Sequence, residues 1–253
     1  MRLRILPYKP GSLSAKYLAR TLRGLRVRLN GAFRPNPRRH LVVNWGNTNT
    51  PHWWGYRGTR SLNHPDAVRR SSNKLSALTL LSQAGVSIPA FTNSKEVATQ
   101  WCRDGAVVVA RTVLNGHGGI GCHVWTKEMD LNSLRDAPLY TKHLRHKREF
   151  RIHVFNGRII DQVEKLRKRG YDNRNSWIRN HENGWVFCRG GVQIPEVVRI
   201  EAVKATRALG LDFGAVDVAY REKENQAYVF EVNTAPGMEG QTIMSYANAI
   251  KEI

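Results

Sequence analysis

The sequence predicts a mixed fold: a small α/β unit first, then antiparallel strands with helices packed on them, an α+β arrangement. Three observations point there. Residues 1–65 alternate short apolar runs with one amphipathic stretch. Two strand-like runs flank Asn156-Gly157, a dipeptide suited to a two-residue hairpin turn. Residues 213–220 and 227–233 are β-rich and close enough in sequence to pair as a second hairpin.

The elements follow in order. Residues 2–8 read as a strand. Ser12 or Ser14 can cap a helix over residues 15–22, with Tyr17, Leu18 and Leu22 on one face. Short strands are expected at 25–29 and 41–45, and residues 46–65 form a loop-rich connection of Gly, Asn, Pro and Trp. One helix is expected over 72–85, its apolar face set by Leu75, Leu78 and Leu81 and its end by Gly85. A second covers 95–103. Strands follow at 106–110, 122–125, 138–142, 149–155 and 158–165, then an amphipathic helix over 196–209 and the terminal hairpin.

Composition narrows the function classes. A hydrophobic fraction of 41% suits a folded protein, and no apolar run approaches the roughly 20 residues of a membrane span. The basic N-terminus lacks the apolar core of a secretory signal. Cys102, Cys122 and Cys188 lie far apart with no CxxC pair, which argues against a zinc knuckle or a disulfide framework and fits a reducing cytoplasm. Forty Lys and Arg against twenty Asp and Glu give +20, a field that attracts polyanions.

Three segments suggest chemistry. Gly116, His117, Gly118, Gly119, Ile120 and Gly121 fit G-x-G-x-x-G. The residues after them are β-like rather than helical, which excludes a Rossmann dinucleotide site. A glycine loop between antiparallel strands suits a flap whose N–H groups cover phosphates, or an ordinary hairpin turn. Glu231 and Asn233, two apart on a strand, share a face. A turn centred near Glu224 sets Asp217 opposite Glu231, so two carboxylates and an amide converge as an oxygen ligand set for Mg²⁺. Residues 142–169 are crowded with cations, and Arg151 shares a strand face with Glu149 and His153. Positioned charge of this kind is what phosphoryl transfer needs.

Taken together, these segments resemble the ATP-grasp superfamily, and within it the RimK-like branch of ribosomal-protein glutamate ligases. The resemblance runs from Ser71 to Ile253. It rests on NKLSALTLLSQAGVSIP, VVVARTVLNGHGGIG, EFRIHVFNGRIIDQVEK, WIRNHENGWVFCRGG, and ALGLDFGAVDV followed by FEVNTAPGMEG. It implies an ATP-grasp fold: a shortened N-terminal α/β domain (1–65), a lobe with the glycine flap (66–139) and a lobe with the magnesium site (140–253).

The resemblance also implies a carboxylate–amine ligase that uses ATP and Mg²⁺, with two ions, and proceeds through an acylphosphate. It places Lys74 and Arg111 near the nucleotide phosphates, the loop from Gly116 to Gly121 over them, and the hinge residues Thr141 and Lys142 beside the adenine through their main chain. Arg151, Lys165, Arg179 and Asn180 fall near the γ-phosphate. Asp217, Glu231 and Asn233 become the metal ligands, and Gly237 a close-approach glycine. Two departures stand out: the hinge lacks the glutamate common in the family, and residues 170–179 carry an insertion.

The implied partners are an amino acid or amine and an acidic peptide or other polyanionic substrate. Nucleic acid stays open as a partner of the basic surface, with Trp45, Trp53 and Trp54 as stacking candidates. A basic nucleic-acid-binding protein without catalysis, or a nucleotide-binding regulator, are the alternatives.

Overall fold

The computed structural model describes residues 1–54, 58–116, 119–171, 177 and 179–253. Its first sheet is parallel, built from β1 (Arg2–Pro7), β2 (Leu25–Arg26), β3 (His40–Trp45) and β4 (Arg60–Leu62) in the order β2-β1-β3-β4. Helix α1 (Leu13–Thr21) crosses between β1 and β2. Ser12 is its N-cap and accepts from the Ala15 amide, whereas Ser14 accepts from Trp45 Nε1. One face of the sheet is covered by α1 and by α6 (Gln241–Lys251), the last helix of the chain. Leu18, Trp45, Tyr246 and Ile250 meet there in one core, which also takes in Phe155 and Phe213.

Two helices follow. The helix expected over 72–85 is α3 (Lys74–Gln83), and a helix that was not expected, α2 (Pro65–Ser72), comes before it. Asn73 separates the two: its backbone is extended, it ends α2, and its side chain caps α3 through the Ser76 amide. The second sheet is antiparallel and holds β5 (Phe91–Thr92), β6 (Val108–Arg111), β7 (Cys122–Trp125) and β8 (Leu139–Lys142) in the order β5-β8-β6-β7. Helix α4 (Lys95–Arg103) packs on one face of it, against Val108, Ala110, Trp125 and Tyr140.

The third and largest sheet carries β9 (Arg148–Phe155), β10 (Arg158–Arg167), β11 (Trp185–Cys188), β12 (Phe213–Arg221) and β13 (Gln226–Asn233), in the order β11-β10-β9-β12-β13. All its pairings are antiparallel. Asn156 and Gly157 both take positive φ in the β9–β10 turn, as a two-residue hairpin of this type demands. One face packs Phe150, Ile152, Val154, Val216, Val218, Val229 and Val232 against α5 (Glu196–Ala208), α2 and α3. Thus α2 and α3 share a core with this sheet rather than with the flap sheet that follows them in sequence. Among the described residues, no helix is long and apolar enough to cross a membrane.

Candidate active site

The period of two along β9 and β12 puts alternate residues on the face opposite the apolar core. Glu149, Arg151 and His153 project there from β9, and Asp217 from β12, directly opposite Arg151. Lys165 joins them from β10, on the same face as Val163, which opposes Arg151. On β13 the geometry depends on a bulge. The ladder pairs Tyr220 with Ala227 and Val218 with Val229, then shifts by one residue so that Asp217 opposes Glu231. A regular continuation would set Phe230 opposite Asp217 and turn Glu231 into the apolar core. The bulge keeps Val229 and Val232 in that core while returning Glu231 and Asn233 to the Asp217 face.

The charges form three linked sets. Arg151 grips Asp217 with two hydrogen bonds of 2.7 and 2.8 Å. Burial alone raises the Asp217 pKa, but Arg151 outweighs it and holds the carboxyl below its usual range. Glu149, buried, is bound by the Lys165 ammonium and by His146 Nε2 at 3.2 Å, with Arg179 Nε at 3.9 Å. Burial again acts upward and these partners prevail, so Glu149 stays ionised. Glu231 faces Lys74 Nζ at 3.5 Å and accepts from Asn233 Nδ2 at 3.2 Å. Lys74 also donates to the Gly116 carbonyl at 2.6 Å, tying the glycine loop to the carboxylate hairpin.

Strand β11 adds two aromatic platforms. Phe187 lies under both Arg151 and Lys165, at 4.4 and 5.6 Å, and Trp185 lies under Arg179 at 4.5 Å. These contacts aim three cations across one surface. Four cations (Lys74, Arg151, Lys165, Arg179) thereby stand among three carboxylates (Glu149, Asp217, Glu231).

Fold and sequence comparisons now bear on this geometry. No family model matches the chain. Over 196 residues, 72% of this chain, it is 29% identical to a probable alpha-L-glutamate ligase of Pectobacterium carotovorum, of which 61% is covered. The chain therefore spans about 61% of the length of that curated relative. The ATP-grasp ligase PsnB, solved with a phosphomimetic variant of a minimal precursor, Mg and ADP, superposes with a TM-score of 0.73 at 14% identity. That superposition covers 99% of this chain and 97% of PsnB. D-alanyl-alanine synthetase A of Vibrio cholerae gives a TM-score of 0.66 at 16% identity, covering 100% and 99%.

This chain has the ATP-grasp fold. Its sequence is similar to the probable alpha-L-glutamate ligases.

With the ATP-grasp fold established, each residue singled out in the sequence can be placed. Lys74, Arg151, Lys165, Arg179, Asp217, Glu231 and Asn233 converge as described. Arg111 and Thr141 lie on the flap-sheet face opposite α4, where Arg111 contacts Cys122 Sγ at 3.1 Å. Lys142 does not join them. Its register with Val108 puts it on the α4 face, and its ammonium lies over the Trp101 ring at 4.9 Å. Only its main chain is available to a nucleotide. The Asn180 side chain caps a 3-10 turn by accepting from the Asn183 amide, so its carbonyl oxygen is committed to the loop.

In the glycine loop, Gly119 and Gly121 take positive φ, and a Cβ at Gly121 would meet Val113 at 2.9 Å. Ile120 is exposed. His117 and Gly118 lie outside the described residues. A Cβ on Gly237 would meet nothing within 4 Å, so no contact within the chain demands a glycine there. Trp45, Trp53 and Trp54 are buried, which removes them as stacking platforms for bases.

Sequence reading missed Glu149 as the hub of Lys165, His146 and Arg179. It also missed the aromatic supports, although the alternation Trp185-Val186-Phe187 after the Asn180 loop carried a strand signal.

The donor set fits the implied cofactor. Asp217, Glu231 and the Asn233 amide offer only oxygens, the chemistry a hard dication takes. The surrounding cations suit polyphosphate charge. Among the described residues, no three His, Cys, Asp or Glu side chains gather into a protein-only metal cage.

Proposed function

We propose that this protein of ATP-grasp fold is an ATP- and Mg²⁺-dependent ligase that joins a carboxylate, through an acylphosphate, to an amine. The observation behind it is the pairing of an oxygen triad (Asp217, Glu231, Asn233) with four cations, one of which, Lys74, also binds the Gly116 carbonyl of the glycine loop. ATP supplies the phosphoryl group that activates the carboxylate. Asp217, Glu231 and Asn233 hold the metal, as two ions in the full site. Lys74 and Arg111 neutralise the phosphate chain, and the amides of the loop from Gly116 to Gly121 cover it. The charged ends of Arg151, Lys165 and Arg179 lie over aromatic rings, which hold them in place to meet developing negative charge. The Thr141 and Lys142 main chain borders the adenine.

The segments 1–65, 66–139 and 140–253 are read as a shortened N-terminal domain, a flap lobe and a metal lobe. The substrate class is a peptide carboxylate with an amino acid or amine as co-substrate. Both PsnB bound to its precursor and the probable glutamate ligases support this reading.

The test incubates the protein with ATP, Mg²⁺, single amino acids and carboxylate-bearing peptides, and reads ADP release together with product mass. ADP formation that needs both co-substrates, and is lost in Asp217→Asn, is the expected result. Absence of any Mg²⁺-dependent nucleotide binding at millimolar ATP overturns the proposal.

A further inference from the structure

The positive charge is not spread evenly. Residues 1–65 hold eleven arginines and two lysines and not one aspartate or glutamate, so thirteen of the twenty net charges lie in the first quarter of the chain. Among the described residues, no Lys or Arg of residues 1–63 makes an ion pair. This contrasts with the large sheet, where Arg148, Arg151, Lys165 and Arg189 each have a carboxylate partner.

The fold gathers part of this charge at one end of the first sheet. Strands β1 and β3 are parallel and start together, with Arg2 opposite His40 and the Arg2 amide bound to the Arg39 carbonyl. The segment before β3 folds back onto this end. The Asn36 amide donates to His40 Nδ1, Phe33 packs on His40, and Arg4 lies over Phe33 at 5.8 Å. Arg34 reaches His52 at 2.8 Å. The charged groups near His40 are all cations: Arg4, Arg2 and Arg39. Its pKa is pushed down by burial first and then by Arg4, Arg2 and Arg39. Arg2, Arg34, Arg38 and Arg39 are solvent-exposed.

We propose that this arginine cluster at the N-terminal end of the first sheet is a docking surface for an acidic segment of a peptide substrate. The proposal rests on the ligase reading above for the identity of the peptide as substrate. Its basis is charge complementarity: guanidinium forks match carboxylates in pairs, and no internal acid competes for them. The tryptophans nearest the cluster, Trp53 and Trp54, are buried and offer no platform for stacking bases, which favours an acidic peptide over nucleic acid.

The placement adds a length rule. The opposite ends of the same strands abut the catalytic region, where a Cβ on Gly46 would meet the Ala235 methyl at 2.6 Å, just past Asn233. From Arg2 to Pro7 the strand covers roughly 17 Å at about 3.3 Å per residue. An extended peptide crosses that in about five residues. The acidic segment therefore sits at least about five residues from the carboxylate that reacts.

The experiment titrates the full-length protein with a labelled peptide carrying eight glutamates, the same peptide with glutamines, and a single-stranded RNA of equal charge. Titrations run at low and at about 150 mM salt, where exposed charges are largely screened beyond about 8 Å. One variant carries Arg2→Gln, Arg34→Gln, Arg38→Gln and Arg39→Gln. A control carries Arg103→Gln, Lys127→Gln, Lys223→Gln and Lys251→Gln, the same charge change at exposed sites elsewhere.

The expected result is glutamate-peptide binding that weakens about tenfold or more in the cluster variant and less than about twofold in the control. Equal losses in both variants, or no preference for glutamates over glutamines, overturn the proposal. RNA binding more tightly than the glutamate peptide, and losing most in the cluster variant, also overturns it and assigns the surface to nucleic acid. Mg²⁺-dependent ATP binding is measured on the same proteins. Its retention with a failed peptide titration removes the docking surface alone, and its absence removes the ligase reading.

Discussion

The two faces of the five-stranded sheet are made by the same strands, yet they are built on opposite principles. On β9, Phe150, Ile152 and Val154 point one way and Glu149, Arg151 and His153 the other; β12 repeats the pattern with Val216 and Val218 against Asp217. Along the middle of β9 and β12 both faces are covered: Ile152 is 0% exposed, His153 2% and Asp217 5%. Burial therefore does not separate them. The apolar face gains free energy from every group it covers. The charged face spends most of its Coulomb attraction on desolvation, since a buried ion pair roughly breaks even against an apolar one. Stability is the business of the first face. The second holds charge in fixed positions where a ligand can use it.

Four changes would break or sharpen that contrast. The largest effect is expected for Asp217→Ala, which leaves the Arg151 guanidinium without its carboxylate. Breaking such a buried pair costs about 3–5 kcal/mol. Denaturant unfolding should show this loss, and calorimetry should show Mg²⁺-dependent nucleotide binding abolished. A near-neutral unfolding midpoint would mean that the pair is not coupled to the fold.

Next comes Ile152→Ala, one residue away and on the opposite face. It should cost about 3 kcal/mol of stability by opening a cavity. Nucleotide affinity should stay within about twofold once the protein is folded, because the substitution touches only the α5 core.

Third is pH. Burial, with Arg151 nearby, lowers the His153 pKa from 6.5 to about 4. Between those values the unfolded chain binds the proton and the folded one does not, so stability rises with pH across that window. It is complete above about 6.5 and lost as pH falls toward 4, on the order of 2–3 kcal/mol from this residue. His153→Gln should flatten that part of the stability–pH curve. An unchanged slope would place its origin elsewhere.

The smallest effect is expected for Lys142→Met. Its ammonium lies over Trp101 on the far side of the flap sheet, so the change should cost no more than about 1 kcal/mol. Nucleotide affinity should hold within about twofold. A tenfold loss would show that this side chain turns into the cleft when the nucleotide binds.

Much of this was legible in the sequence, and the misses have physical causes. The period of two alone put Glu149, Arg151 and His153 on one face, and the Asn156-Gly157 turn lies where its backbone preference demands. The opposition of Asp217 and Glu231 was read from a turn centred near Glu224. The ladder nearest the turn is centred half a residue earlier, and only the bulge at Phe230 restores the pairing. Bulges are set by packing on both faces and leave no periodic trace. Helix α2 went unread, because Asn73, which ends it and caps α3, serves equally well inside a loop or as a cap. The orientation of Lys142 could not be read without knowing which face of the flap sheet α4 covers. The partners of Glu149 come from β10 and from the loops before β9 and β11, a convergence that only the tertiary fold creates.

The placement of α6 has a consequence for how the molecule comes into being. Strands β1 and β3 leave the ribosome well before α6, and the wall that seals Trp45 and Leu18 includes Tyr246 and Ile250, about two hundred positions later. Until those arrive, the earliest sheet has a bare, greasy side. Its final closure is a long-range event, slowed by the entropy of bringing distant segments together. During that interval the nascent chain relies on its dense like charge to keep copies apart.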